Sequence, residues 1–428
     1  MADRPTGPPW GEILRQPPTT ALRSASRAAL GSRRALWVAC ALAHAYVVLL
    51  TFRTHDGSFG DVGLYRWWVE QGLDVGRWPV VTEGWEYSTW VYPVLAIVPM
   101  LLAAVLGSVL GTEVGWLVVS VGASVGAFAM LVSRTERRAG AWYWLAFLVM
   151  LGPISLVRLD VFVASCVLVG LLLAARHPRA AAVVLTLGAW VKVVPAALVW
   201  SLFATTARRW RDVVLPAGAL TAVVVGTVAL LGGGGRSLSF LSEQGERGLQ
   251  VESVGAGLVM LARGLGIDAS VRYNDEIYTY EIAGRAADVV GAALPVVLVL
   301  LILLVAALTW FARRHGRAAL SWSALAFLAA AIVGNKVGSP QFQMWLLAPL
   351  AVGLAWHPRS AAQRWVAAGG LVAAVATQYT YPYHYGGVVA LAPLGVTVLL
   401  VRNAVVVGVL VTALLQLAKL ARQGDDHR

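Results

Sequence analysis

The sequence predicts an all-α membrane protein whose helices cross the bilayer many times. Three observations carry this. Of the 428 residues, 58% are hydrophobic and only 13% are charged, about half the charged share of a soluble globular chain. Too few polar side chains remain to cover a water-facing surface. Long apolar runs recur from Ala35 to Leu420, and about 20 apolar residues suffice for one helical crossing. Eighteen Trp and twelve Tyr suit the two interfacial belts of a membrane protein.

Apolar runs able to span lie near 35–52, 92–110, 114–132, 141–154, 159–175, 180–203, 212–231, 286–311, 318–334, 342–356, 363–381, 387–401 and 403–420. A bundle of about 12–13 transmembrane helices follows. The last two runs are divided only by Arg402 and Asn403. Residues 1–34 read as a disordered cytoplasmic tail without a cleavable signal pattern, 35–420 as the membrane domain and 421–428 as a short polar tail.

The formal charge of +12 suits either nucleic acid or anionic lipid. Its distribution favours lipid, because Lys and Arg cluster at the ends of apolar runs. The connectors Arg208-Arg209-Trp210-Arg211, Arg313-Arg314-His315-Gly316-Arg317 and His357-Pro358-Arg359 are basic, whereas the two long polar stretches, Arg53–Val91 and Gly232–Gly284, carry more Asp and Glu than Lys and Arg. The positive-inside rule places the tail and these connectors in the cytoplasm and both loops outside. One conflict arises: counting spans puts Arg134-Thr135-Glu136-Arg137-Arg138 outside. Either a nearby segment is re-entrant or this loop breaks the bias. Cys40 and Cys166 sit in apolar runs without metal-type spacing and read as small hydrophobes.

Helical periodicity continues into both outer loops. Asp61–Gly72 reads as a surface helix with Asp61 at its start and Leu64, Trp67 and Trp68 on its apolar face. Glu252–Leu265 reads the same way, with Leu258, Leu261 and Leu265 at helical spacing. No internal repeat is visible, which weighs against transporters built from two related halves.

The candidate chemistry lies in a few charges. Asp61, just outside the first span, is either a helix N-cap or a general base for an acceptor hydroxyl. An inverting glycosyl transfer from a phosphate leaving group requires one such carboxylate, plus cations for the departing phosphate. Arg158, Lys192 and Lys336 lie in or beside apolar runs, where a charge costs about 2.5–3.5 kcal/mol on insertion scales. They are phosphate-binding cations or snorkelling side chains. Asp160 follows Arg158 by two residues, so these two are expected to pair. Arg247, Gln250 and Glu252 form a polar run that is either solvated loop or part of the site. P-loop, G-x-S-x-G, H-E-x-x-H and Cys/His metal patterns are missing. No polar stretch is long enough for a nucleotide-sugar domain, which favours a donor already resident in the membrane.

Several blocks together resemble the actinobacterial membrane glycosyltransferases of family 87, of GT-C type, which use polyprenyl-phosphate mannose. They are Gly60-Asp61-Val62-Gly63-Leu64-Tyr65, Arg158-Leu159-Asp160-Val161-Phe162, Ala189-Trp190-Val191-Lys192-Val193-Val194-Pro195, Glu246-Arg247-Gly248-Leu249-Gln250-Val251-Glu252-Ser253, and Asn335-Lys336-Val337-Gly338-Ser339-Pro340-Gln341-Phe342 with Trp345-Leu346 behind. The Ala, Val, Gly and Arg bias agrees with a GC-rich genome. The resemblance implies a GT-C bundle in the cell membrane with its active site on the extracytoplasmic side. It implies Asp61 as the base, Lys336 near the donor phosphate, and Tyr65, Arg66, Arg158, Asp160, Lys192, Arg247, Glu252 and Gln341 around the substrates. Its partners are a polyprenyl-phosphate sugar donor, a glycolipid or envelope glycan acceptor and membrane lipids, without nucleic acid. Two departures stand out: Gly338 replaces the usual bulky residue before Ser-Pro, and the second acidic residue common beside the Asp in other GT-C enzymes is missing. No metal or other cofactor is therefore expected. The competing readings are a transporter or flippase of polyprenyl-linked sugars and a non-catalytic assembly protein.

Overall fold

Among the described residues, five helices are long and apolar enough to cross a membrane by themselves: Arg33–Arg53, Thr112–Arg134, Trp210–Leu230, Arg285–His315 and Pro393–Arg422. They appear in a computed structural model that describes residues 32–54, 58–82, 90–239, 247–275 and 278–423. Nearly all of the expected N-terminal tail, Glu246 and most of the C-terminal tail lie outside the described residues.

The chain begins with α1 (Arg33–Arg53) and α2 (Gly60–Val75), then α3 (Ile97–Leu110), entered through a 3-10 turn at Val94–Ala96. Next come α4 (Thr112–Arg134), α5 (Ala139–Leu151) with a 3-10 turn at Gly152–Ser155, α6 (Asp160–Leu173), α7 (Pro178–Val191), α8 (Ala196–Thr205) and α9 (Leu215–Leu230). After the short helix α10 (Val254–Gly264) and the strands β1 (Ser270–Asn274) and β2 (Thr279–Ala283) follow α11 (Arg285–Ala312), α12 (Arg317–Val333), α13 (Met344–Trp356), α14 (Ala361–Gln378), α15 (Tyr385–Val389) and α16 (Pro393–Arg422).

Burial sorts these helices into a centre and a rim. α12 and α13 are buried on nearly every side, and α6 is almost as enclosed. α9 and α11 are as apolar but largely uncovered, with Val289, Leu230 and Phe311 among their exposed side chains. An apolar helix that is neither buried in protein nor amphipathic has lipid as its natural solvent. The central helices are also short. Fourteen residues, as in α6 and α7, rise about 21 Å, less than the roughly 30 Å hydrocarbon core. Their ends therefore stop below the level reached by the long rim helices, and polar residues at those ends sit in a recess.

Two sequence expectations are corrected here. The run 92–110 does not cross. Tyr92, before α3, packs on Tyr65 and Trp68 of α2, while Gly107 and Ser108 near the far end of α3 share a groove with Arg66 and Glu70 of the same α2. Both ends of α3 thus lie beside one surface helix. The tight α3–α4 hairpin depends on Gly115, where a Cβ would stand 2.5 Å from the Ala103 carbonyl oxygen. α4 then runs antiparallel to α1, with His44 Nε2 3.0 Å from Ser124 Oγ and the Trp37 and Phe128 rings 5.4 Å apart. This carries Arg134–Arg138 to the end where α1 starts, alongside the other basic connectors, and the charge conflict disappears. From Pro393 onward the runs 387–401 and 403–420 form one continuous helix, α16, with Arg402 and Asn403 buried inside it.

The loops also differ in detail. α2 buries Val62, Tyr65, Trp68, Val69 and Gly72, not the Leu64–Trp67–Trp68 face, and Leu64 is exposed. Ser253 caps α10, as its side chain accepts from the Ala256 amide at 3.0 Å. Leu258, Leu261 and Leu265 point outward, whereas the small residues Gly255, Ala256 and Gly257 pack inward. The antiparallel β1–β2 hairpin, in register Ser270↔Ala283 to Asn274↔Thr279, is an exception to the expected all-α fold.

The path of α3 is testable by cysteine labelling. In a Cys40→Ala, Cys166→Ala background, Glu136→Cys and Arg359→Cys should react from one side of a sealed vesicle and Asp74→Cys from the other. A crossing α3 would instead put Glu136→Cys with Asp74→Cys.

Candidate functional site

The end of the bundle that carries α2 gathers most of the charges singled out in the sequence. Asp160 opens α6, where the free amides of a first turn favour a negative charge. Lys192 ends α7 in an extended conformation. Trp345 stands in the first turn of α13. These three helix ends meet: Lys192 Nζ donates to Asp160 Oδ1 and Oδ2 at 2.9 and 3.0 Å, and Trp345 Nε1 donates to Oδ1 at 2.6 Å. The ammonium also lies 4.9, 5.4 and 6.0 Å from the ring centroids of Phe342, Trp345 and Tyr92, a cation–π surround that favours a desolvated charge.

Beside this lies a second ion pair. Arg158, in the connection between α5 and α6, is 4% exposed, and its Nε stands 2.9 Å from Asp61 Oδ2. The N–H does not point at that oxygen, so the contact is an ion pair without hydrogen-bond alignment. Arg158 Nη1 donates to the Ser58 and Val157 carbonyls at 2.9 and 3.1 Å. The sequence expectation that Arg158 and Asp160 pair is thereby corrected: each takes a partner from another element. The N-cap reading of Asp61 is corrected too. Phe59 occupies the N-cap, and α2 starts without a side-chain cap. Asp61 remains 35% exposed, so one face of this carboxylate meets solvent while the other meets a buried cation.

Tyrosines join the two pairs. Tyr65 is buried, hydrogen-bonded to Tyr92 and within electrostatic reach of Asp61 and Arg158. Burial holds the Tyr65 and Tyr92 hydroxyls above the usual tyrosine range, so both are neutral donors. Tyr381, past the end of α14, accepts a hydrogen bond from Arg158 and feels both Asp61 and Glu252.

Glu252 anchors a third cluster. It is 5% exposed, the Tyr385 hydroxyl donates to it, and burial pushes its carboxyl above the ordinary range. Arg402 of α16 donates to the Glu252 backbone carbonyl and to Asn403 Oδ1, and Asn403 Nδ2 donates to the Ser253 carbonyl at 3.1 Å. This cluster holds the 249–253 segment against the chain after α12. Gln250 N donates to the Lys336 carbonyl at 3.0 Å, and Gln250 Oε1 accepts from Gly338 N at 3.1 Å. A Cβ on Gly338 would stand 2.1 Å from Ser253 N. The missing bulky residue at this position therefore has a local cause, since two backbones occupy that space.

Not every expected residue converges on Asp61. Arg66 pairs with Glu70 at 2.5 Å on the far side of α2. There it lines an apolar groove of about 460 Å³ with Tyr65, Val69, Met100, Gly107 and Trp116. Lys336 enters through its backbone carbonyl, in the clasp with Gln250. Gln341 lies half-buried in the turn that presents Phe342 to Lys192. Arg247 is half-buried beside Gly248, whose amide donates to Glu281. Tyr92, Tyr381, Tyr385 and Arg402 went unassigned from the sequence. Arg402 carried a usable signal, a charge inside an apolar run, and the aromatic break Tyr379-Thr380-Tyr381-Pro382-Tyr383 another.

No family model, curated protein or solved structure matches this chain.

Two outcomes test the site's construction by thermal unfolding. Asp160→Asn and Lys192→Met should each destabilise by about 3–5 kcal/mol, since each strands a buried charge, while the double variant loses less than their sum. Additivity would mean that the pair is not coupled. Gly338→Ala should cost about 1–3 kcal/mol by overpacking, whereas Gly386→Ala, where a Cβ meets nothing within 4 Å, should melt like the parent.

Proposed function

We propose that this chain is an inverting, membrane-embedded glycosyltransferase. It moves a sugar, mannose by the resemblance of its sequence blocks, from a polyprenyl-phosphate donor to a glycolipid or envelope glycan. In this reading the Asp61 end faces outward and the basic connectors, with both chain ends, face the cytoplasm of a cell membrane, as the charge distribution favours. The observation that carries the reading is the Asp61–Arg158 pair: a partly exposed carboxylate oriented at 2.9 Å by a buried guanidinium, beside a second, aromatic-walled cation at Lys192.

The chemistry follows from these positions. With Oδ2 turned toward Arg158, Asp61 offers its other oxygen to an acceptor hydroxyl and removes its proton as the new glycosidic bond forms. The departing phosphate is a weak base and needs no proton. It needs positive charge in a place that excludes water, where charge stabilisation is strongest. Arg158 and Lys192 are the cations held in place there, and Lys192 must exchange part of its bond to Asp160 for the phosphate. The neutral hydroxyls of Tyr65, Tyr92 and Tyr381 supply orienting hydrogen bonds. The apolar groove beside α2 lets lipid reach Tyr65 from the membrane side.

The mutual neutralisation of Lys192 and Asp160 favours a second reading, a translocator of polyprenyl-linked sugars in which substrate breaks that pair. Transfer assays separate the two. Asp61→Asn should lower sugar transfer from purified polyprenyl-phosphate mannose to envelope glycolipids by about 10²–10⁴-fold, the loss typical of a general base. Asp74→Asn, exposed at the far end of α2, should keep parental activity. Asn keeps the size of Asp61 and Arg158 keeps its bonds to the Ser58 and Val157 carbonyls, so the Asp61→Asn protein should remain folded, with a lowered melting temperature. Retention of more than about a tenth of the activity, or donor translocation without any transfer in the parent, removes the base assignment.

A further inference from the structure

The end of the bundle opposite Asp61 carries a cluster that the transfer reading leaves unused. Three elements converge there: the end of α8, the following π-helical turn Trp210–Val214, and the end of α11. Trp310 is their centre. The guanidinium of Arg209 lies 4.8 Å from the Trp310 ring centroid and 5.4 Å from that of Phe203, and the guanidinium of Arg313 lies 4.5 Å from the same Trp310. Two like charges are thus held on one indole. The acid on these connectors, Asp212, is engaged by Arg179 at 2.7 Å. Two cations within reach of one ring repel each other, a cost that the rings and the bond from Arg313 Nη1 to the Trp310 carbonyl recover only in part. An anion lying across both would recover more.

The surroundings specify which anion. Trp210, 69% exposed, follows Arg209, and Phe311, 60% exposed, lies between Trp310 and Ala312, two residues before Arg313. A ligand here meets fixed positive charge on one side and a bare apolar, aromatic surface on the other. That combination fits a phosphate joined to hydrocarbon chains. Arginine forks match phosphate oxygens, and basic pockets between membrane helices take anionic headgroups. We propose that Arg209, Arg313 and Trp310 form a binding site for an anionic phospholipid, with the phosphate across the two guanidiniums and the acyl chains along Trp210 and Phe311.

The test uses the full chain purified in a neutral detergent, with tetraoleoyl cardiolipin and dioleoyl phosphatidylcholine as probes. Native mass spectrometry should show cardiolipin retained and phosphatidylcholine lost, and cardiolipin should raise the melting temperature where inorganic phosphate does not. Arg209→Gln with Arg313→Gln should weaken cardiolipin retention about thirtyfold, the effect of two basic residues near an anionic surface. Arg134→Gln with Arg137→Gln, basic residues at the same end without a shared indole, should weaken it clearly less than the Arg209–Arg313 pair does. If the glutamine pair does not fold, Arg209→Lys with Arg313→Lys keeps the charges but loses the fork, and its cardiolipin retention should still fall. Equal losses in the two connectors, unchanged retention in the lysine pair, equal retention of phosphatidylcholine, or equal stabilisation by inorganic phosphate would each overturn the proposal.

Discussion

Arg158 is the residue around which the candidate site is organised. A guanidinium that is 4% exposed is tolerable in a low-dielectric interior only when its charge is matched. The match comes from Asp61, on a different helix, and the donors reach the Ser58 carbonyl and Tyr381. One buried cation therefore ties the loop before α2, the start of α2 and the segment after α14 to the connection between α5 and α6. Breaking it would free the approach to Asp61 from three directions.

The short central helices make such a cation possible. Because α6, α7 and α13 stop before the level of the long rim helices, their termini bring unpaired backbone groups and polar side chains into a recess that would otherwise be hydrocarbon. Asp160, Lys192 and Trp345 satisfy one another there. Over this recess lies the 249–253 segment, paired on one side with β2 and on the other with the chain around Lys336 and Gly338. Arg402 and Asn403 pin it from below with bonds to the backbone of Glu252 and Ser253. A charged residue deep in α16 thus acts as a support for a loop rather than as a helix boundary.

The two ends of the bundle treat charge in opposite ways. Around Asp61 two ion pairs, Arg158–Asp61 and Lys192–Asp160, each join distant parts of the chain. At the basic end arginines are stacked on tryptophan and left with few carboxylates. The first arrangement holds a fixed geometry, which chemistry on a substrate requires. The second is held open to anions outside the protein. In the proposed orientation these ends face the outside and the cytoplasm.

Much of this was legible in the sequence because it rests on local rules. Low charge content and recurrent apolar runs determined a helical membrane protein, and 3.6-residue periodicity located the helices of both long polar loops. The place of Asp61 in the first turn of a loop helix could be read from its flanking residues. Two further local signals lie in the sequence. The alternating strands around Asn274-Asp275 announce a hairpin, and Arg402 inside an apolar run announces a buried role. The remainder was decided by tertiary structure. The run 92–110 is strongly apolar, and only the packing of both its ends against α2 turns it back. Arg158 and Asp160 are two residues apart, yet each finds its opposite charge elsewhere, since buried charges pair according to which helix ends meet. Gly338 is one small residue among many until the backbone of Ser253 is placed against it. Hydropathy and periodicity are properties of neighbours along the chain, whereas the pairing of buried charge depends on distance in space, and only the assembled helices set that distance.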